Sequence, residues 1–61
     1  MQLLRLPQTL VRTGLSRSGL YAAVAAGSFP KPVKLGARAI AWPVDEVDQW
    51  IAGRIAEREA A

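Results

Sequence analysis

A tight turn followed by a short helix is predicted by the run Gly14-Leu-Ser-Arg-Ser-Gly-Leu-Tyr-Ala-Ala-Val-Ala-Ala-Gly27. Ser16 suits the N-cap position, because its hydroxyl can accept a hydrogen bond from a backbone N–H of the first turn. Gly27 suits the position just after the helix, because glycine readily adopts the left-handed backbone conformation that ends many helices. Both ends of this helix are therefore specified by local sequence.

The helix that follows Ser16 has two distinct faces when its residues are spaced 3.6 to a turn. The apolar face holds Leu20, Ala23, Val24 and Gly27. The opposite face holds Arg17, Ser18, Tyr21, Ala22 and Ala25. In helix-turn-helix proteins the N-terminal end of the second helix reaches base edges. Because hydrogen-bond donors cluster at that end here, we interpret this element as a DNA recognition helix.

A shorter helix is predicted before the turn, from about Pro7 to Thr13. Proline suits the first turn of a helix, where its missing N–H would have had no partner, and Gly14 ends the helix. Two helices joined by a glycine-containing turn form the helix-turn-helix pattern, here about residues 7–26. We expect Leu15 to lie beneath the turn, and Arg5 and Arg12 to be ordinary solvated charges.

Residues 28–32 are not expected to be helical, because their two prolines lack backbone donors and favour extended conformations. A β-hairpin, or wing, is predicted at about residues 33–42, because residues 33–35 alternate apolar and polar, residues 39–42 alternate small and large, and Gly36–Arg38 suits a turn. The residues expected to face inward are Val33, Leu35, Ile40 and Trp42. Phe29 is expected to anchor the core, Lys34 to point outward and Arg38 to lie at the hairpin tip.

A closing helix is predicted at about residues 44–59, after Pro43. Its expected apolar stripe is Val44, Val47, Trp50 or Ile51, and Ile55. Its expected solvent-facing residues are Gln49, Arg54, Glu57 and Arg58. We expect residues 57–61 to fray. Carboxylates in its first turns complement the positive end of the helix dipole, so the acidic residues there have a structural explanation.

The charge distribution is strongly asymmetric. Six basic residues and no acidic ones precede residue 45, whereas all five acidic residues lie in residues 45–59. A molecule with one basic side is expected to attract a polyanion such as nucleic acid. A solvated basic surface without a partner is the alternative that charge alone leaves open.

The composition argues against an enzyme. In 61 residues there is no cysteine and no histidine, so the usual metal ligands and the commonest general base are missing. Asp45, Glu46 and Asp48 occupy near-consecutive helical positions, which spreads them around the axis. We therefore expect no catalytic site, metal or cofactor. The longest apolar run, residues 20–26, is too short to span a bilayer, and we expect a cytoplasmic protein.

The order of these features resembles the AlpA family of prophage transcriptional regulators. The matching residues are Leu6-Pro7, Arg12–Ser18, Tyr21, Gly27, Phe29-Pro30, Pro32–Gly36, Arg38-Ala39, Trp42, Glu46-Val47 and Trp50-Ile51. The resemblance implies a single small MerR-like winged helix-turn-helix domain, mainly α with a β-hairpin wing, related to phage excisionases. It further implies binding to promoter or attachment-site DNA of mobile bacterial elements. Gly19 and Ala22 stand where polar residues are common in the family, which leaves fewer direct base contacts.

Six residues are candidate contacts to double-stranded DNA: Ser16, Arg17, Ser18, Tyr21, Lys34 and Arg38. The leading hypothesis is a transcriptional regulator that uses them to occupy a DNA site, alone or as a dimer or multimer on repeated sites. An excisionase-type factor that bends attachment-site DNA for an integrase would use the same contacts. Beyond DNA, the partners expected for such a DNA-binding protein are an integrase or the transcription machinery. A third hypothesis is a protein-interaction adaptor that docks a partner through the closing helix and Val11, with the basic face incidental.

Overall fold

The computed structural model describes residues 2–60. Within that range the chain forms three helices and one three-stranded antiparallel sheet. The elements are β1 (Leu3–Arg5), α1 (Leu6–Thr13), α2 (Arg17–Ala26), β2 (Val33–Lys34), β3 (Ile40–Pro43) and α3 (Val44–Ala60). The fold is mainly helical with a small antiparallel hairpin, which confirms the winged helix-turn-helix architecture predicted from the sequence.

The ends of α1 and α2 are fixed by local hydrogen bonds. Ser16 Oγ accepts a hydrogen bond from the Gly19 N–H at 3.1 Å, which confirms the predicted N-cap of α2. Gly14 and Gly27 end the two helices in the left-handed conformation, with φ of 76° and 79°. At the start of α1, where a polar N-cap is missing, Gln8 Oε1 accepts the Arg5 N–H at 2.9 Å instead. Both α1 and α2 therefore begin and end where their own sequences dictate.

The sheet contains a strand that the sequence analysis did not predict. Residues 3–5 form β1 and pair antiparallel with β3, so that Leu4 lies opposite Trp42 and Arg5 opposite Ala41. β2 pairs with the other edge of β3, so the strand order is β1-β3-β2. β3 is thus the central strand, and the start of the chain is held against the wing.

The hairpin is shorter and more exposed than expected. The Leu35 N–H donates to the Ala39 carbonyl at 2.7 Å and closes the predicted turn over residues 36–38. The expectation that Val33 and Leu35 face inward is wrong, because these side chains are 43% and 47% exposed. β2 lies at the edge of the sheet and is only two residues long, so little of the protein is available to cover it. The core therefore takes its residues from β3, where Trp42 is fully buried and Ile40 partly buried.

The core is built around aromatic side chains, as expected for Phe29 and Trp42. The Phe29 ring packs edge-on against Trp42, with ring centroids 6.0 Å apart, and against Trp50, with centroids 5.0 Å apart. The Trp42 indole N–H donates to the Pro30 carbonyl at 2.7 Å, and that of Trp50 donates to the Ser28 carbonyl at 2.7 Å. Residues 28–30 are therefore fixed to both β3 and α3.

Only the first half of α3 packs on this core. Val47 is fully buried, and Val44, Trp50 and Ile51 are partly buried. Residues 52–60 are all exposed, and Ile55, expected in the apolar stripe, is 47% exposed. A helix of 17 residues rises about 25 Å, which is longer than the small core can cover. The helix continues to Ala60; of residues 57–61, which are expected to fray, Ala61 lies outside the described residues.

A salt bridge joins α1 to α3. Arg12 Nε donates to Asp48 Oδ1 at 2.8 Å, and Arg12 Nη2 donates to Asp48 Oδ2 at 3.0 Å, so the guanidinium holds the carboxylate in a fork. The expectation that Arg12 is an ordinary solvated charge is therefore wrong. The hydrogen bonds from Arg12 lower the pKa of the Asp48 carboxyl below its ordinary value.

The Arg12–Asp48 pair predicts a pH-dependent contribution to stability. Because the pKa of Asp48 is lower in the folded than in the unfolded chain, the stabilisation is present above the ordinary carboxyl pKa and is lost as pH falls through the lowered value. We expect the difference in Tm between wild type and Asp48→Asn, measured across acidic pH, to shrink as the pH falls. In an Arg12→Gln background, Asp48→Asn should have little effect on Tm. An equal, pH-independent difference in Tm in both backgrounds would contradict the assignment of this stabilisation to the Arg12–Asp48 pair.

Candidate nucleic-acid interface

The polar face of α2 is open to solvent along its whole length. Its five outward residues, Arg17, Ser18, Tyr21, Ala22 and Ala25, are all exposed. On the other face Leu20 is fully buried, and Ala23 and Val24 are partly buried. Gly27, expected on that apolar face, is instead exposed, because the chain turns away from the helix there in the left-handed conformation. The helix is therefore anchored on one side and presents the other.

Three of the six candidate residues line one open concavity of about 600 Å³, which we call the arginine concavity. Arg17 and Tyr21 come from α2, one turn apart, and Arg38 comes from the turn of the wing. The remaining lining residues are Arg5, Leu6, Pro7 and Ile40. The fold therefore brings α2, the wing and the start of α1 to one surface.

The arginine concavity is positively charged. None of its lining residues is acidic, and three of them are arginines. Among residues 2–60, the salt bridges occupy Arg12, Arg54 and Arg58. The other five basic residues, Arg5, Arg17, Lys31, Lys34 and Arg38, form no salt bridge within the same range. The acidic residues all lie on α3, so positive charge on the concavity is not neutralised locally.

The remaining three candidates lie outside the concavity. Ser16 and Ser18 lie at the N-terminus of α2, with their hydroxyl oxygens 3.5 Å apart. The Ser16 hydroxyl has a structural role as the N-cap, and a Cβ at Gly19 would stand only 3.0 Å from Ser16 Oγ, so the glycine leaves room for the cap. Lys34 is exposed on β2, paired opposite Ile40.

Sequence reasoning missed Arg5 as a member of this surface. The residue is exposed at the junction of β1 and α1, and it lines the concavity because β1 pairs with β3. Leu3, Leu4 and Arg5 do not alternate apolar and polar residues, so the exposed–buried–exposed pattern of β1 is visible only in the structure. The pairing partner is also distant in sequence, so no local pattern indicates it.

Two other surfaces bear on the adaptor hypothesis. Val11 on α1 is 85% exposed, beside a shallow apolar groove that also includes Leu4, Pro7 and Gln8. Ile55 is exposed on the free half of α3. Neither surface includes a residue of the arginine concavity other than Pro7.

In residues 2–60 no cluster of three potential metal ligands is present, and none of the helices there has the length and hydropathy to cross a membrane.

The fold and its basic surface define a small winged helix-turn-helix protein. The sequence model of the family described as "Prophage CP4-57 regulatory protein (AlpA)" matches residues 2–55. The chain therefore belongs to the AlpA family of prophage regulatory proteins.

Two relatives are similar over most of this chain. "Uncharacterized protein ORF88" of Enterobacteria phage P4 is 46% identical over 56 residues, which cover 92% of this chain and 64% of the phage protein. The chain thus spans less than two thirds of that relative's length. "DNA-binding transcriptional activator AlpA" of Escherichia coli K12 is 32% identical over 60 residues, covering 88% of this chain and 86% of the relative.

The N-cap predicts different effects for the two serines of α2. Ser16→Ala removes the acceptor of the Gly19 N–H and should lower the free energy of unfolding by about 1 kcal/mol. Ser18→Ala, the matched control, removes an exposed hydroxyl that caps no backbone group and should change it by less than about 0.5 kcal/mol. Urea denaturation of the two variants measures both values, and equal losses would contradict the assignment of Ser16 as the cap.

Proposed function

We propose that this protein is a DNA-binding transcriptional regulator of the phage type, with α2 in the major groove and the wing on the adjacent backbone. The observation that carries the proposal is that Arg17, Tyr21 and Arg38 line one basic concavity although they come from two separate elements. A duplex presents a regular array of phosphates beside an open groove, which suits a surface with a protruding helix flanked by cations.

The dimensions and side chains of α2 are compatible with the major groove. Its ten residues extend about 15 Å, and the groove, about 12 Å wide, admits one α-helix. Ala22 and Ala25 are small, so the helix can approach the bases closely along its middle. The Ala22 methyl can contact a thymine methyl, whereas Arg17 can donate to guanine or to phosphate.

The scarcity of polar side chains on α2 bears on how a site would be recognised. Beyond Arg17, Ser18 and Tyr21, the outward face of α2 offers only alanines. Phosphate contacts position a protein without reading sequence, so discrimination would rest on few base contacts, on DNA shape or on paired half-sites. We therefore expect modest sequence preference for a single domain.

The relatives support this role. The E. coli protein, which matches 88% of this chain, is described as a DNA-binding transcriptional activator. The family description also names a prophage regulatory protein, and its match extends from β1 into α3, so it includes α2 and the wing. A regulator of a mobile element, acting through occupancy of its DNA site, is the function that the surface and the relatives jointly favour.

Salt dependence of DNA binding tests the proposal. For wild type, the logarithm of the association constant for a duplex should fall linearly with the logarithm of salt concentration. Arg17→Ala and Arg38→Ala should each weaken binding, and the slope should fall by about 1 for each variant that loses a phosphate contact. Fluorescence anisotropy with a labelled duplex measures both quantities.

Arg58→Ala is the matched control, because Arg58 lies at the far end of α3 beside Glu59. It should change neither affinity nor slope beyond a small effect of net charge. Binding without salt dependence, or equal losses for Arg58→Ala and Arg17→Ala, would contradict the proposed interface. Absence of duplex binding, with capture of a protein through Val11 or α3, would favour the adaptor.

A further inference from the structure

Arg5 is held at the edge of the arginine concavity by sheet pairing. It lies opposite Ala41 in the β1–β3 ladder, and β3 begins at Ile40, two residues after Arg38. Because the strands run antiparallel, the end of β1 meets the start of β3, where the chain leaves the wing turn. This register explains why Arg5 and Arg38, distant in sequence, line the same concavity.

The side chain of Arg5 takes no part in the hydrogen bonds or salt bridges of residues 2–60. The backbone supplies the structural contacts of this residue: its N–H donates to Gln8 Oε1 at 2.9 Å, and its carbonyl accepts from Thr9 Oγ1 at 3.0 Å. The guanidinium forms no hydrogen bond or salt bridge within the described range. Its cation is therefore free to bind something outside the fold.

Three guanidinium groups on one concavity point to an anionic ligand. Arg5, Arg17 and Arg38 repel one another, and no carboxylate among the lining residues offsets that repulsion. Guanidinium groups present planar pairs of N–H donors that match the oxygens of a phosphate. The Tyr21 hydroxyl on the same surface is a further donor, and phenols contact phosphates in protein–DNA interfaces.

We propose that Arg5, Arg17, Arg38 and Tyr21 together bind the sugar–phosphate backbone of duplex DNA at the edge of the groove that α2 enters. This inference rests on the proposed function and adds a contact from the β1–α1 junction. Arg17 and Tyr21 belong both to the outward face of α2 and to the concavity, so a duplex that meets α2 also meets Arg5. The junction thereby fixes the angle at which α2 enters the groove.

Substitution of Arg5 tests the inference directly. Arg5→Ala should weaken duplex binding roughly tenfold and lower the salt slope by about 1, as expected for one lost charged phosphate contact. Lys31→Ala is the matched control, because Lys31 is an exposed basic residue without a salt bridge in the described range and does not line the concavity. It should change affinity by less than about twofold.

Arg5→Lys and Arg5→Gln complete the series. Arg5→Lys keeps the charge and should retain the wild-type salt slope with intermediate affinity, whereas Arg5→Gln should match Arg5→Ala. Thermal unfolding checks each variant, and the backbone hydrogen bonds of residue 5 do not depend on the side chain that replaces arginine. If Arg5→Ala unfolds, the comparison of Arg5→Gln with Arg5→Lys decides the question.

The outcomes separate this inference from the proposed function. Salt-dependent binding that is weakened by Arg17→Ala but affected equally by Arg5→Ala and Lys31→Ala would overturn the inference alone. An Arg5 variant with altered sequence preference and an unchanged salt slope would also overturn it, because Arg5 would then contact a base. Failure of wild type to bind duplex DNA would overturn both.

Discussion

Burial of Trp42 is the constraint on which the rest of the structure depends. The residue is fully buried in the central strand, lies opposite Leu4 of β1, packs against Phe29 and donates its indole N–H to Pro30. A chain of 61 residues buries a small core, so one large aromatic side chain determines much of its packing. Through these contacts Trp42 connects the first strand, the segment after α2, and the wing.

The basic surface is a consequence of that packing. Once β3 is the central strand, β1 must lie on one edge and β2 on the other, and the β1–α1 junction then lies beside the wing turn. α2 is held against the same core by Leu20, with Arg17 and Tyr21 outward. The acidic residues lie on α3, where Asp48 pairs with Arg12 and the first carboxylates complement the helix dipole. The three arginines of the concavity and the carboxylates of α3 therefore occupy different parts of the molecule.

Features encoded in adjacent residues were predictable from the sequence, and features that depend on distant pairing were not. The Ser16 cap, the two helix-ending glycines and the outward face of α2 are set within a few residues. The β1 strand and the Arg12–Asp48 pair depend on contacts between opposite ends of the chain.

The same distinction applies to the candidate site. Arg17, Tyr21 and Arg38 were predicted from helix spacing and turn position, and the structure brings them together. Local sequence does not place Arg5 on this surface, because its position depends on the pairing of β1. Alternation predicts Val33 and Leu35 inward, since it does not reveal that β2 is a short edge strand. Backbone amide chemical shifts, followed as duplex DNA is added, show which surface of the protein binds the duplex. We predict the largest changes at Arg5, residues 16–22 and residues 36–40, with residues 52–60 little affected. Changes confined to the free half of α3 or to the surface around Val11 would contradict it.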